Sequence, residues 1–538
     1  MAYPLTLRTV LTRNRMLFGR KEVVTRDFAG IHRYTYAEYQ VRVGKLANAL
    51  KRLGVRRGER VATFGWNSHR HLEAYLAAPC MGAVLHTLNI RLFADQFAYI
   101  VNHAEDAVML VDEDLVPAVA AVADKFPTVR AYVIMGAGRE VPPTKLRPAY
   151  SYEALLEAES GDFDWPVDIE ENSMAALCYT TATTGNPKGV PYSHRGIYLH
   201  ALAICGADVL GIREADAVMP VVPMFHVNAW GIPFAAVWMG TKQVFPGSRP
   251  DPAALVSLIE NEKVTITAGV PTIWMAVAQL LEREKHDVSS LSAVICGGSA
   301  APRALIEKVE KGFGVPFIHA YGMTETYPVV LVSRPKSYMA GLPEDERYAY
   351  KAKQGTLVAG IEMRVVAEDG SEVPRDGKSM GELRLRGPWI TEEYYREPER
   401  TKEMVRDGWL CTGDVVTVDP EGYVQIQDRT RDLIKSGGEW ISSIDLENTI
   451  MSHPAVAEAA VIGVPSEKWT ERPMACVVLK PDQAGKVDGE EIREFLATRV
   501  AKWWVPDEVV FVESIPKTSV GKFAKRFLRE RFQEKRFP

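Results

Sequence analysis

Residues 180–189 read Thr-Thr-Ala-Thr-Thr-Gly-Asn-Pro-Lys-Gly. They gather four hydroxyls, two glycines and one lysine just after the apolar run Met174–Tyr179. Such a loop can wrap a polyphosphate. Glycines let backbone N–H groups approach the anion, hydroxyls donate hydrogen bonds, and Lys188 supplies charge. A Walker A loop would have Lys and Ser/Thr directly after glycine. Here Asn186 and Pro187 separate Gly185 from Lys188, so a nucleotide site of another kind is implied. Three further segments carry chemistry. Tyr321-Gly322-Met323-Thr324-Glu325-Thr326 sets a carboxylate between two hydroxyls, suited to Mg2+ and to phosphate. Cys411-Thr412-Gly413-Asp414 offers a carboxylate that can accept both hydroxyls of a ribose. Residues 516–523 place Lys522 on a loop that contains Gly521.

These segments need elements to hold them. Residues 60–64, 82–87, 107–111, 131–135, 174–179, 217–222, 243–245, 293–296 and 315–318 read as short buried strands. Residues 71–78 read as a helix that Pro79 ends. Strands alternating with helices predict stacked α/β layers with the helices outside. Residues 136–165 carry Pro142, Pro143 and Pro148 and read as a weakly structured connection. Beyond about residue 357 the pattern turns to β, at 362–366, 381–386 and 423–426, which predicts a smaller β subdomain. A charged stretch follows, and then strands at 456–461 and 475–479 and a helix at 490–500. The predicted division is an α/β N-terminal domain over 1–428, a hinge at 429–432 and a small α+β domain over 433–538.

A chain of 538 residues exceeds one core, so at least two domains are expected. With 64 basic and 69 acidic residues the net charge is −5, which gives no general electrostatic reason to bind nucleic acid. No run of about 18 apolar residues exists, so no membrane span is predicted. Residues 1–21 lack the continuous apolar stretch of a secretory signal. Cys80, Cys178, Cys205, Cys296, Cys411 and Cys476 are widely spaced and form no CxxC pair. They read as reduced, partly buried thiols of a cytoplasmic protein, not as a metal site.

Taken together in chain order, the segments resemble the adenylate-forming superfamily of acyl-CoA synthetases, peptide-synthetase adenylation domains and luciferases. The phosphate loop is similar to the family's Y-T-S/T-G-T-T-G-x-P-K-G. Pro223-Met224-Phe225-His226 is similar to its P-x-F-H, and Gly297-Gly298-Ser299-Ala300-Ala301-Pro302 to its adenine-side strand and turn. Tyr321-Gly322-Met323-Thr324-Glu325 is its Y-G-x-T-E signature. Thr412-Gly413-Asp414, Asp428-Arg429 and Gly521-Lys522 complete the set. Within the superfamily, residues 222–230, 89–92 and 435–442 look most like fatty acyl-CoA synthetases.

The resemblance implies an AMP-forming acyl-CoA ligase. It would use ATP with Mg2+ to convert a carboxylic acid to acyl-adenylate and pyrophosphate, then pass the acyl group to CoA. The catalytic positions it implies are Lys522, His226, Thr324 and Arg429. Thr180 and Glu325 would hold the metal. The ATP and AMP contacts would come from Thr180, Thr181, Thr183, Thr184, Gly185, Lys188, Thr324, Arg431, Lys435 and Trp440. Gly298, Ser299, Ala300, His319, Ala320, Tyr321 and Gly322 would line the adenine, and Asp414 with Arg429 the ribose. The small domain would swing about its hinge and bring Gly437 and Gly438 to the thiol channel. A homodimer is compatible with this reading.

Two positions depart from the family. Ala182 replaces a glycine of the phosphate loop, and the hinge position, usually Asp or Lys, falls on Arg431. The expected acyl pocket comprises Val227, Trp230, Gly231, Val270, Thr272, Gly298, Met323 and Tyr327. It is apolar without a counter-charge, which favours an aliphatic or aryl tail over an amino acid. Trp230 either gates a tunnel or sits in the core. The bulk of Tyr327 favours short-to-medium acids. The alternatives are a long-chain synthetase, an aryl-CoA ligase, an adenylation enzyme that loads a carrier protein, and an inactive nucleotide-binding homologue.

Overall fold

The computed structural model of the chain describes residues 3–27, 30–180, 186–429, 432–436, 439–517 and 523–537. Two large sheets dominate the N-terminal domain. The seven-stranded one runs Ala149–Ser151, Ala131–Met135, Asp106–Asp112, Arg60–Phe64, Val84–Thr87, Met174–Tyr179, Gly189–Ser193. The nine-stranded one runs from Thr356–Leu357 at one edge, through Val329–Ser333, Phe317–Gly322, Ala293–Cys296, Ile266–Gly269, Ala217–Pro220, Lys242–Phe245 and Glu22–Asp27, to Gly30–Thr35. Their central strands pair in parallel, and Asp106–Asp112 is buried at every position. A strand buried on both faces reads as one continuous apolar run, which is why these strands are legible in the sequence. One continuous core joins both sheets, from Val61 and Leu110 through helix Tyr36–Arg52 to Ala268 and Ile318.

A five-stranded β subdomain follows, built from Glu362–Val366, Gly381–Arg386, Val405–Arg406, Trp409–Val418 and Val424–Arg429. The small C-terminal domain holds a second five-stranded sheet over residues 434–511, flanked by helices Ser443–Met451, Gly489–Ala497 and Lys525–Arg531. Its two apolar clusters draw only on residues from Ile434 onward, so it has a core of its own. The expected large α/β domain with a small α+β domain behind it is the architecture found.

Four expectations change. Pro79 does not end its helix, which runs His69–Cys80 with the proline inside its last turn. Residues 136–165 contain strand Ala149–Ser151 and helix Tyr152–Glu157. That helix buries Tyr152, Leu155 and Leu156, and its N-cap Ser151 accepts from the N–H of Ala154. The strand expected at 217–222 stops at Pro220, after which the N–H groups of Val221 and Val222 both donate to the Ala268 carbonyl. The strand expected at 315–318 is Phe317–Gly322. All six cysteines are free thiols, and burial pushes Cys178 and Cys205 up to about 12. Among the described residues no helix is long and apolar enough to cross a membrane.

Burial also sets a pH response. It holds His71 and His194 down at about 4 and His200 at about 3, and lowers His32, His69, His103 and His319 in the same direction. An unfolded histidine takes its proton near pH 6.5, the folded ones only below that. Each therefore favours unfolding progressively as pH falls from 6.5 towards its folded value. Asp112, raised to about 7, Asp445, raised to about 6, and Asp106, Asp428 and Glu447, raised by burial, act in the opposite sense, but the seven histidines outnumber these five. The urea midpoint is expected to fall between pH 6.5 and pH 4. A level or rising midpoint over that window would contradict the neutral, buried state of these rings.

Candidate active site

Strand Phe317–Gly322 is the spine of the site. It lies parallel to Ala293–Cys296, which lies parallel to Ile266–Gly269. The carboxyl ends of these strands carry Tyr321, Gly297 with Gly298, and Val270. Ligands of open α/β sheets bind at that edge. Antiparallel pairing with Val329–Ser333 carries the strand through Gly322, beyond its expected end. A side chain at Gly322 would put its Cβ 1.9 Å from the Pro328 carbonyl oxygen, so only glycine fits there.

Successive residues of this ribbon meet different partners. His319 Nδ1 donates to the carbonyls of Lys353 and Ala352 at 3.0 and 3.2 Å, and burial keeps the ring neutral. The Ala320 carbonyl faces Gly297, where a Cβ would stand 2.6 Å from its oxygen and 3.1 Å from the Trp230 ring. The Tyr321 hydroxyl donates to Asp414 Oδ2 at 2.5 Å. The Thr324 carbonyl accepts from the Tyr192 hydroxyl at 2.6 Å. Glu325, buried, accepts from the Tyr394 hydroxyl on Oε1 at 2.6 Å, and its carbonyl accepts from the Thr391 N–H at 2.9 Å.

Asp414 and Arg429 stand opposite each other on the paired strands Trp409–Val418 and Val424–Arg429. Arg429 Nε sits 2.7 Å from Asp414 Oδ1. Gly413 takes a φ of 68°, a backbone state that costs a side-chain-bearing residue energy. The Asp414 N–H donates to Thr412 Oγ1 at 3.1 Å, and that hydroxyl donates to the Leu383 carbonyl at 2.7 Å. The buried Asp414 carboxylate raises the Arg429 pKa, and burial raises that of Tyr321. Each Asp414 oxygen keeps a second lone pair, so the carboxylate can still accept from a diol.

The phosphate loop is closed at its neck. The Thr180 N–H donates to the Lys188 carbonyl at 2.9 Å, and the Lys188 N–H donates to Thr180 Oγ1 at 3.2 Å. These bonds extend the hairpin formed by Met174–Tyr179 and Gly189–Ser193. The Lys188 ammonium lies 4.6 Å from the centre of the Tyr394 ring, the same ring whose hydroxyl meets Glu325. Thr181, Ala182, Thr183, Thr184 and Gly185 lie outside the described residues, as do Arg431, Gly437, Gly438 and Lys522.

The expected acyl wall divides. Trp230 reaches Gly297, and Gly298, at φ 82°, abuts Val270, whose Cγ1 would be 3.3 Å from a Cβ there. His226 leads into the turn: its N–H donates to the Pro223 carbonyl, and its carbonyl accepts from Ala229, both at 3.1 Å. Val227 and Gly231 belong to the same turn. Met323 is half-buried, its N–H donating to Thr326 Oγ1 at 3.0 Å. Thr272 and Ser299 are exposed, and Ala300 is half-buried. In the small domain, Lys435 is drawn to Glu368 at 2.6 Å and pairs across its strands with Trp440.

Tyr327 belongs elsewhere. Its ring stacks on Tyr192 at 3.9 Å and presses on Gly196, where a Cβ would be 2.4 Å away. Its hydroxyl accepts from the Ser193 N–H at 2.9 Å and donates to the Pro191 carbonyl at 3.1 Å. The ring is spent on packing, so its bulk gives no reason to favour short acids. Tyr327→Ser is expected to destabilise the fold by about 3–5 kcal/mol, as for other buried aromatics, without moving the chain-length optimum. Urea unfolding alongside an acid series checks this. Unchanged stability with a shifted optimum would return the ring to the acyl channel.

Comparison with known proteins gives the site its context. The family described as AMP-binding enzyme matches residues 13–395, and the one described as AMP-binding enzyme C-terminal domain matches residues 445–522. The chain belongs to the AMP-binding enzyme family. It is 50% identical over 532 residues to a long-chain-fatty-acid–CoA ligase of Thermus thermophilus, covering 98% of this chain and 96% of that one. It is 40% identical to a medium-chain-fatty-acid–CoA ligase of Ectopseudomonas oleovorans, over 96% of this chain and 93% of that one. Among solved structures it superposes on ATP-bound MatB from Rhodopseudomonas palustris with a TM-score of 0.85 and 26% identity, each chain 99% covered. An anthranilate CoA ligase in complex with anthranoyl-AMP superposes with a TM-score of 0.87 and 26% identity, over 99% of this chain and 98% of that one.

Two residues of this AMP-binding enzyme escaped the motif reading. Tyr394 joins Lys188 to Glu325, and Tyr192 supports Thr324. In the sequence Tyr394 is one of two adjacent tyrosines and Tyr192 follows the phosphate loop, neither within a motif, and only folding brings them to the spine.

Proposed function

We propose that this AMP-binding enzyme activates an aliphatic carboxylic acid with ATP and transfers the acyl group to CoA. The acid's oxygen bonds to the α-phosphorus as the bond to pyrophosphate breaks. The CoA sulfur then bonds to the acyl carbon and AMP leaves with the electron pair. The carrying observation is ribbon 319–325, whose residues reach in turn the apolar Gly297–Trp230 wall, the Asp414–Arg429 pair and the Glu325–Tyr394–Lys188 chain. A nucleotide laid along it has its ribose at Asp414 and its phosphates at the loop neck. The relatives at 40% and 50% identity, named as fatty-acid–CoA ligases, support an aliphatic acid. The bare apolar wall supports the same tail.

Bringing a carboxylate to a triphosphate sets anion against anion, so the site must supply charge and donors. Lys188, the Thr180 hydroxyl and Lys522 are assigned that role. The residues present also fit a magnesium ion that arrives with ATP. Glu325 commits one carboxylate oxygen to Tyr394, and its other oxygen has no partner among the described residues. Thr180 lies across the loop neck. No group of three or more metal-ligating side chains occurs among the described residues, so phosphate oxygens would complete the shell. Bound there, the ion would neutralise phosphate charge. Glu325→Gln is expected to raise the magnesium concentration for half-maximal adenylation about tenfold and leave the KM for the acid unchanged. An unchanged magnesium titration would make Glu325 a turn residue.

Between the two steps we assign a rotation of the small domain about residues 429–432. Polar contacts flank that hinge: Ser442 and Ser443 donate to the Gln427 carbonyl and to Asp428, and Arg529 pairs with Asp432. Contacts of this kind exchange with water more readily than an apolar seam.

The test is AMP release measured with CoA against saturated acids from acetate to palmitate, with benzoate as the aryl control. Release with an aliphatic acid that depends on CoA is expected. Release with benzoate alone would move the reading to an aryl acid.

A further inference from the structure

Residues 227–231 turn the wrong way for L-amino acids. Val227, Asn228, Ala229 and Trp230 have φ of 49°, 49°, 48° and 59°, and Gly231 follows at 74°. Single residues visit this left-handed region; four non-glycine residues in succession is a strained run. The turn is buried throughout, with Asn228 1% and Ala229 0% exposed. Only Gly231, at its end, takes this backbone freely, so something outside must hold the four residues before it.

The holder is visible. Asn228 Oδ1 accepts from Thr87 Oγ1 at 3.3 Å and from Cys178 Sγ at 3.5 Å. Thr87 and Cys178 sit side by side near the ends of paired parallel strands of the seven-stranded sheet. The turn itself leads into helix Ile232–Met239, beside the nine-stranded sheet. The carboxamide thus ties the turn to the other sheet. Asn228 Nδ2 finds no partner among the described residues, so Oδ1 carries the tie alone. Asparagine also tolerates left-handed backbone better than most residues. Two positions on, the turn delivers Trp230, whose indole is 3.1 Å from where a Gly297 Cβ would stand, beside Ala320.

We propose that Asn228 is a positioning residue for acyl selection: by pinning the left-handed turn to Thr87 and Cys178, it fixes the indole of Trp230 on the acyl wall. The inference rests on the ligase reading above. A turn free to relax would let the indole leave Gly297, and acids of different length would be sorted less sharply.

Three variants test it. Asn228→Ala removes the tie and the left-handed tolerance. Asn228→Gly removes the tie but keeps an easy left-handed backbone. Ala229→Gly keeps the tie and lowers the strain. With wild type, the kcat/KM series from acetate to palmitate is recorded with KM for ATP, melting temperature and a crystal structure of Asn228→Ala. Both Asn228 variants are expected to narrow the ratio of best to worst acid by about tenfold, through the KM for the acid, with KM for ATP within about twofold. Ala229→Gly is expected to melt higher and keep the wild-type series. The Asn228→Ala crystal structure is expected to show the turn relaxed and the indole away from Gly297. An unchanged series in Asn228→Ala, an Asn228→Gly enzyme that matches wild type, or equal loss for acid and ATP would overturn the proposal. So would an intact turn in the crystal structure, which holds whether or not the enzyme is active. Absence of acid-dependent AMP release in wild type would instead refute the ligase reading.

Discussion

Lys522→Ala is expected to slow acyl-adenylate formation about a thousandfold while thioester formation from supplied acyl-adenylate changes only a few-fold. Lys517 and Phe523, on either side of Lys522 in the chain, pair as an antiparallel bridge, and the Ala524 N–H donates to the Pro516 carbonyl at 2.8 Å, which makes a closed base. Behind that base, helix Lys525–Arg531 is fastened by Lys525, which is 2.6 Å from Glu447. A cation delivered on such a loop and assigned to the α-phosphate acts only while pyrophosphate departs. The second step develops no charge there, and the rotation assigned to the small domain takes the loop away. Rapid-quench measurement of each half-reaction separates the outcomes. Equal loss in both would show that Lys522 acts on the fold or on binding in general.

Asp414→Ala is expected to weaken ATP and AMP binding about a hundredfold and to leave the KM for CoA unchanged. Two ribose hydrogen bonds to a charged acceptor, at about 1.5–3 kcal/mol each, account for a loss of at least this size. The same substitution strips Arg429 and the Tyr321 hydroxyl of their shared partner. Asp414→Asn, which keeps shape but not charge, is expected to fall between. Calorimetric titration with AMP checks both. Wild-type AMP affinity with only a lower melting temperature would make the Asp414–Arg429 pair structural.

The parts of the fold that were legible share one physical cause. Strands Arg60–Phe64, Ala131–Met135, Met174–Tyr179 and Ala293–Cys296 lie within buried parallel sheets, so burial writes a plain apolar run into the sequence. Helix Leu7–Leu17 is hard to read in the sequence because its buried face is short, Leu7, Val10 and Leu11, and is completed by the polar Asn14. It is held by packing on helix Ile232–Met239 and by Asn14 donating to the Val237 carbonyl at 2.9 Å. The end of the spine strand was hidden because its continuation depends on a partner strand ten residues further on.

The site followed the same division. Tyr321, Asp414, Arg429, Glu325, Thr180 and Lys188 announce themselves by type and by short spacing. Tyr394 and Asn228 meet partners at least fifty residues away, at Glu325, Thr87 and Cys178. The left-handed turn leaves little mark in the sequence, because of Val-Asn-Ala-Trp only the asparagine favours that backbone. Tyr327 is the converse case: its bulk beside a motif suggests the pocket, whereas its ring packs on Tyr192 in the core.

The most direct test of the two-step account is a single turnover with ATP labelled on the α-phosphate and an aliphatic acid, first without CoA and then with it added. The account predicts labelled acyl-adenylate and an equal amount of unlabelled pyrophosphate, assayed separately, before CoA, then conversion of all the labelled acyl-adenylate to labelled AMP with release of acyl-CoA. Labelled ADP, or AMP formed at the same rate without any acid, would contradict it.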